Sequence, residues 1–113
     1  MDLIQRQFTQ DQITNLVNST IENIKTLENV KGGEYAGDKD RLHNFRHNAE
    51  DCGTRMELIW RIYAGKHWDA LSNYIRDLLS NKERPRSEPI EGRIDDLIVY
   101  LILLKAIIQD GKQ

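Results

Sequence analysis

A chain of 113 residues holds one domain with a single packed core, and its 39% apolar and 30% charged residues place it among well-solvated globular proteins. A formal charge of −2 lacks the basic excess of a general DNA or RNA binder, so no direct nucleic-acid binding is expected. The lone cysteine, Cys52, excludes an internal disulfide and a cysteine-built zinc site and fits a reducing cytoplasm.

The N-terminal stretch MDLIQRQFTQ has neither the basic start nor the apolar core of a signal peptide. The longest apolar run, Leu97 to Leu104, falls far short of the roughly 20 residues of a membrane span. The expectation is a soluble, cytoplasmic protein. In chain order, the first predicted helix covers Thr9 to Asn29, where Ile13, Leu16, Val17, Thr20, Ile21, Ile24 and Leu27 recur at helical spacing behind a Thr9 N-cap. VKGGEYAGDKD reads as a loop. The second helix, Arg41 to Cys52, sets Leu42, Phe45, Ala49 and Cys52 on one face, and Gly53 suits a left-handed cap.

Thr54-Arg55-Met56-Glu57 matches a capping box and starts a third helix that runs to about Leu79. Its stripe, Met56, Trp60, Tyr63, His67, Leu71, Tyr74 and Leu78, advances in steps of 4, 3, 4, 4, 3 and 4 and predicts a core face. Trp68 points away from that stripe over Ala64 and Gly65, as a stacking platform or an oligomer contact. SNKERPRSEP is the last linker, and the fourth helix starts at Ser87 or Glu88 and ends at Gly111. With no strand signal, the reading is an all-α, single-domain bundle of four helices. From Leu97 to Ile108 the last helix is apolar on every side. A helix buried on one face would not be, so a homo-oligomer interface is expected there.

The charged residues that open this helix raise the functional question. Glu88, Glu91 and Asp95 follow at i, i+3, i+7, and Asp96 shares a face with Tyr100. Such a row of hard oxygens suits Mg²⁺ with phosphate and water. It equally suits a solvated first turn in which carboxylates compensate the helix dipole. Because Asp95 and Asp96 abut the hydrocarbon run, they are expected to be partly buried and paired with cations from other helices, chiefly Lys66 and Arg41. Lys66, Asp69 and Asn73 line the third helix beside its stripe, placing Lys66 for a phosphate or a carboxylate, and His67 sits in the stripe itself. On the second helix Arg41, Asn44 and Asn48 flank the core face. Arginine offers a rigid fork for phosphate, and asparagine reads a base edge or orients a carboxylate.

Three stretches, KGGEYAGDKDRLHNF, IYAGKHWDAL and SEPIEGRIDDLIVYLILL, together resemble the nucleotide modification associated domain found largely in phage and prophage proteins. The matching positions are Lys31, Glu34, Tyr35, Arg41, Leu42, Asn44, Phe45, Lys66, His67, Glu91, Gly92, Arg93, Ile94, Asp96, Leu97 and Tyr100, within residues 31–108. Val99 departs from the asparagine that often precedes the family's tyrosine. The resemblance implies a phage protein, working in the host cytoplasm, that acts on a nucleotide-like molecule. Tyr35, Arg41, Asn44, Lys66, His67, Arg93, Asp96 and Tyr100 are its expected ligand-binding residues, with no cofactor. Sequestering a nucleotide signal of host defence would suit such a small oligomeric binder. A fainter resemblance to MazG-like nucleotide pyrophosphohydrolases implies a Mg²⁺-dependent alternative, with Glu91 and Asp95 on the metal. That site lacks its second acidic pair in this sequence. An interaction module without a small ligand is the third reading.

Overall fold

The computed structural model describes the backbone of residues 6–36 and 40–112, and the side chains of 6–29 and 40–112. Four helices follow one another: α1 (Gln10–Ala36), α2 (His43–Cys52), α3 (Met56–Leu79) and α4 (Ile90–Asp110). Among the described residues there is no strand, and the fold is all-α as the periodicity predicts.

Thr9 caps α1 through a reciprocal pair. The Gln12 amide donates to Thr9 Oγ1 at 3.2 Å, and the Thr9 amide donates to Gln12 Oε1 at 2.8 Å. The helix then continues past Asn29 through Gly32 and Gly33 to Ala36, so the expected loop begins later than its glycines suggest. Two glycines weaken a helix by about 1 kcal/mol each without forbidding it. At the end of α2, Gly53 adopts φ 63°, and the Thr54 amide reaches back to the Ala49 carbonyl at 2.9 Å. The expected capping box at Thr54 does not form. Arg55 is the N-cap of α3, no side chain caps that end, and Glu57 instead turns to the Arg55 guanidinium at 2.8 Å. Pro89 rather than Ser87 or Glu88 precedes α4, and Gly111 ends it.

The core lies between α2, α3 and α4. Leu42, Phe45 and Ala49 meet Ile59 of α3 and Leu103 and Ile107 of α4, with Met56, Trp60, Tyr63, Val99, Tyr100 and Ala106 packed around them. The Trp60 indole donates to the Tyr100 carbonyl and pins α3 to α4. Cys52 and Leu78, placed in the core by spacing, are exposed. Helical spacing assigns a residue to a face; how far the partner helix extends decides whether that face is covered. No described residue of α1 is buried, and α1 approaches α4 and, less, α2, but not α3.

Two arginine clamps fasten the ends. Arg46 grips Asp110 with both oxygens, at 3.1 and 3.2 Å, and Asp40 at 3.0 Å, joining the start of α2 to the end of α4. Asp110 foremost, then Asp40, holds the Arg46 proton more tightly than usual, and Arg46 in turn lowers the Asp40 carboxyl. At the opposite end Asp77 is the one buried charged residue among those described. Arg84 (2.9 Å) and Arg86 (3.3 Å) fold back from the α3–α4 linker onto it, and Arg86 lies over the Tyr74 ring at 4.8 Å.

Arg84 foremost keeps the Asp77 carboxyl below its ordinary range. A carboxyl depressed by folding stabilises the fold above its unfolded pKa, and that contribution fades as pH falls through the lower folded value. Asp77→Asn is therefore expected to melt several degrees below the parent at pH 7. The gap should close on acidification below about pH 4, as read from thermal melts in a pH series. A gap independent of pH would mean that packing, not charge, holds the linker.

Candidate functional site

One cleft of about 520 Å³ opens where α2, α3, α4 and the middle of α1 converge. Its wall is aromatic and aliphatic: Phe45, Tyr63, Tyr100, Val99, Leu103 and Leu27. Phe45 stands between two tyrosines, its ring centroid 5.9 Å from Tyr63 and 6.5 Å, edge-on, from Tyr100. The Asn48 amide bonds the Tyr63 hydroxyl at 2.9 Å and its own helix's Asn44 carbonyl at 2.8 Å, which fixes that ring from outside the cleft. These contacts fasten the ten-residue α2 against α3 and α4. It delivers Phe45 to the middle of the core and leaves Arg41 and Asn44 on the cleft side.

Six of the expected ligand-binding residues line this one cleft: Arg41, Asn44, Lys66, His67, Asp96 and Tyr100. They come from three segments well separated in the chain. Tyr35 lies outside the residues whose side chains are described. Arg93 is elsewhere: its guanidinium holds Glu88 at 2.7 Å and borders a different groove, by the α3–α4 linker. One turn before Asp96 on the same helix, Arg93 points toward the linker side. Its assignment to the cleft is corrected accordingly.

The pairing differs from expectation in a second way. Arg41 is bound not by Asp95 or Asp96 but by Glu28 of α1, through Nε and, at 3.3 Å, through Nη2. Nothing in the spacing announces Glu28, thirteen residues earlier, as its partner. Asp96 lies instead beside His67, with Oδ2 3.9 Å from Nδ1 and both side chains 15% exposed. The His67 ring packs on Tyr100 at 5.2 Å. Lys66 makes no ion pair among the described residues, and its Nζ sits 5.9 Å from the centre of the Tyr63 ring. The expected bridge from Lys66 to a last-helix carboxylate is absent, because Lys66 leans over the aromatic wall. Asp95 is half-buried as expected but does not line the cleft, and Glu91 is exposed.

Chemically, the cleft offers two cations on its rim, an aromatic wall, and acceptors at Asp96, Glu28 and Asn44. Among the described residues no group of three or more His, Cys, Asp or Glu is gathered as a metal-ligand set. No helix of the described residues is long and apolar enough to cross a membrane. Comparison with protein-family models, with curated proteins and with solved structures finds no match to this chain.

Proposed function

We propose that this cleft binds a phosphorylated nucleotide or a nucleotide-derived signal, and that it binds without turning it over. The observation that carries the reading is the convergence of Arg41 and Lys66 with Tyr63, Phe45 and Tyr100 on one cavity. Cations meet phosphate, aromatic faces stack on a base, and Asp96 and Asn44 accept or donate at ribose hydroxyls and base edges. A volume of about 520 Å³ falls within the range of roughly 300–1,000 Å³ typical of small-molecule sites. The resemblance to the phage and prophage domain supports the same ligand class. A protein that binds without turnover acts by lowering its ligand's free concentration, which fits sequestration of a host-defence signal in the cytoplasm of an infected cell.

A Mg²⁺-dependent hydrolase would need carboxylates facing the bound phosphate. Glu91 and Asp95, the pair that reading relies on, do not line this cleft, and of the two carboxylates that do, Glu28 is paired with Arg41 and Asp96 lies against His67. The experiment is calorimetric titration of the purified chain with a panel of nucleotides and their nucleosides, with mass spectrometry of any molecule released on denaturation. Saturable heat with at least one phosphorylated member, little with its nucleoside, and no pyrophosphate release in Mg²⁺ are expected. Absence of binding across the panel, with nothing released on denaturation, would overturn the reading. Sustained Mg²⁺-dependent turnover would replace binding with hydrolysis.

A further inference from the structure

The cleft is graded in charge from its mouth inward. Lys66 is exposed and the Arg41 side chain about one-third exposed, so both cations sit where water still reaches them. Asp96 is the most enclosed charged group among the described lining residues. Its side chain is 15% exposed and lies against His67, which is equally covered. A phosphate is favoured beside the cations at the mouth, whereas an enclosed carboxylate repels it. The inner end therefore suits the uncharged part of a ligand.

The groups around Asp96 define what that part must present. Asp96 and Tyr100 both line the cleft from α4, one helical turn apart, and the His67 ring packs on Tyr100 at 5.2 Å. Positions one turn apart are neighbours on a helix surface, roughly 5–6 Å between Cβ atoms. A flat ring lying along Tyr100 thus brings its edge toward Asp96. A carboxylate only accepts hydrogen bonds, and its oxygens offer about four lone-pair sites, enough to keep His67 alongside and still meet a ligand. Among the common bases, guanine alone presents two adjacent donors on its Watson–Crick edge, N1–H and the 2-amino group. Adenine and cytosine set a ring-nitrogen lone pair beside their amino group, and uracil flanks its N–H with carbonyl oxygens. Each of these would aim a lone pair at the carboxylate, a repulsive element that rejects the wrong base.

From this arrangement we infer that Asp96 reads the base and that the cleft selects a guanine nucleotide. The base lies along Tyr100, and its phosphate meets Lys66 and Arg41 at the mouth. The inference rests on the nucleotide reading of the cleft and adds the class of base to it. Asp96 is then a specificity-determining residue, engaged with the base edge rather than the ribose.

The test is calorimetric titration of the purified full chain with the 5′-monophosphates of guanosine, inosine, adenosine, xanthosine and 2′-deoxyguanosine. Inosine differs from guanosine only in lacking the 2-amino donor. Its nucleotide should bind roughly 10- to 150-fold more weakly, the loss of one hydrogen bond to a charged acceptor. The adenine nucleotide, which also turns a lone pair to Asp96, should lose roughly 100-fold or more. The deoxy nucleotide should bind like its ribose parent. Asp96→Asn replaces one acceptor by a donor, which matches the N1–H and 2-carbonyl of xanthine, so this variant should take the xanthine nucleotide over the guanine one. Asp95→Asn, at a half-buried position outside the cleft, should keep the parent's order. If Asp96→Asn fails to fold, the guanosine-to-inosine ratio of the parent decides alone. Equal binding of those two nucleotides overturns the inference, as does a larger loss for the deoxy nucleotide than for inosine's. A folded Asp96→Asn that still prefers guanine, or a best-bound nucleotide without guanine, overturns it too. Nucleotide binding survives each of these results, whereas absence of binding by every nucleotide overturns that reading and this one with it.

Discussion

Phe45→Ala is expected to cost about 3–5 kcal/mol of stability, enough to leave the chain largely unfolded near 37 °C. Phe45 is 4% exposed and touches both neighbouring helices through Tyr63 and Tyr100. Its removal deletes an α2 side chain that meets both α3 and α4. The cavity would sit between rings held by the Asn48–Tyr63 bond and the Trp60–Tyr100 bond, so the walls cannot readily collapse into it. Domains of this size have a margin of about 5–15 kcal/mol. Few side chains here are fully covered, which puts this core at the low end. The measurement is a thermal melt followed by circular dichroism, with a drop on the order of 10–30 °C expected. Phe8→Ala, at a position 62% exposed, is the control and should melt with the parent. Similar melting for both variants would mean that the α2–α3–α4 junction is not the centre of the fold.

Much of this architecture is legible in the sequence, and the reasons are local. Thr9 with Gln12, Gly53 and Gly111 mark helix ends through backbone chemistry that depends on immediate neighbours only, whereas the start of α4, expected at Ser87 or Glu88, falls just after Pro89. The steps of three and four along α3 likewise place Trp60, Tyr63 and His67 on the inner side. What spacing does not reveal is where a partner helix stops. Leu78 belongs to the α3 stripe and Cys52 to the α2 face, yet both lie beyond the reach of the packed helices and stay exposed. The Thr54 capping box fails because Arg55 offers Glu57 a charged partner two residues away. That competition between side chain and backbone is invisible to a motif.

The cleft divides along the same line. Arg41, Asn44, Lys66, His67, Asp96 and Tyr100 flank predicted core faces, and residues at the edge of a core face tend to meet where helices converge. Which charge pairs with which depends on interhelical geometry. Glu28, Asp77 and the Arg46–Asp110 clamp therefore carry no sequence signal, and Arg93, one turn from Asp96, borders the linker groove rather than the cleft. The opposed charges before the hydrocarbon run of α4 consequently serve three separate purposes. Asp96 faces the cleft with His67, Arg93 ties Glu88, and Glu91 is solvated.

The Glu28–Arg41 pair makes the strongest test of the cleft. Its partners are about one-third exposed, so the pair itself is worth little, roughly 0–1 kcal/mol. Its effect on a ligand would be larger. Glu28 occupies the Nε and Nη2 edge of the guanidinium that a phosphate would otherwise engage, and it adds a negative charge to the site. Lys66 carries no such competitor among the described residues and should dominate phosphate affinity. Lys66→Ala is expected to weaken a phosphorylated nucleotide by about 2–5 kcal/mol, roughly 30- to 4,000-fold, while its nucleoside changes little. Arg41→Ala should lose less, and Glu28→Gln should bind the nucleotide more tightly than the parent, because it frees the arginine fork and removes a like charge. All three differences should shrink in high salt. Calorimetry on matched nucleotide and nucleoside decides between the readings. Equal losses for both ligands would place the phosphate away from Lys66, and weaker nucleotide binding by Glu28→Gln would show that Glu28 positions Arg41 for the ligand rather than competing for it.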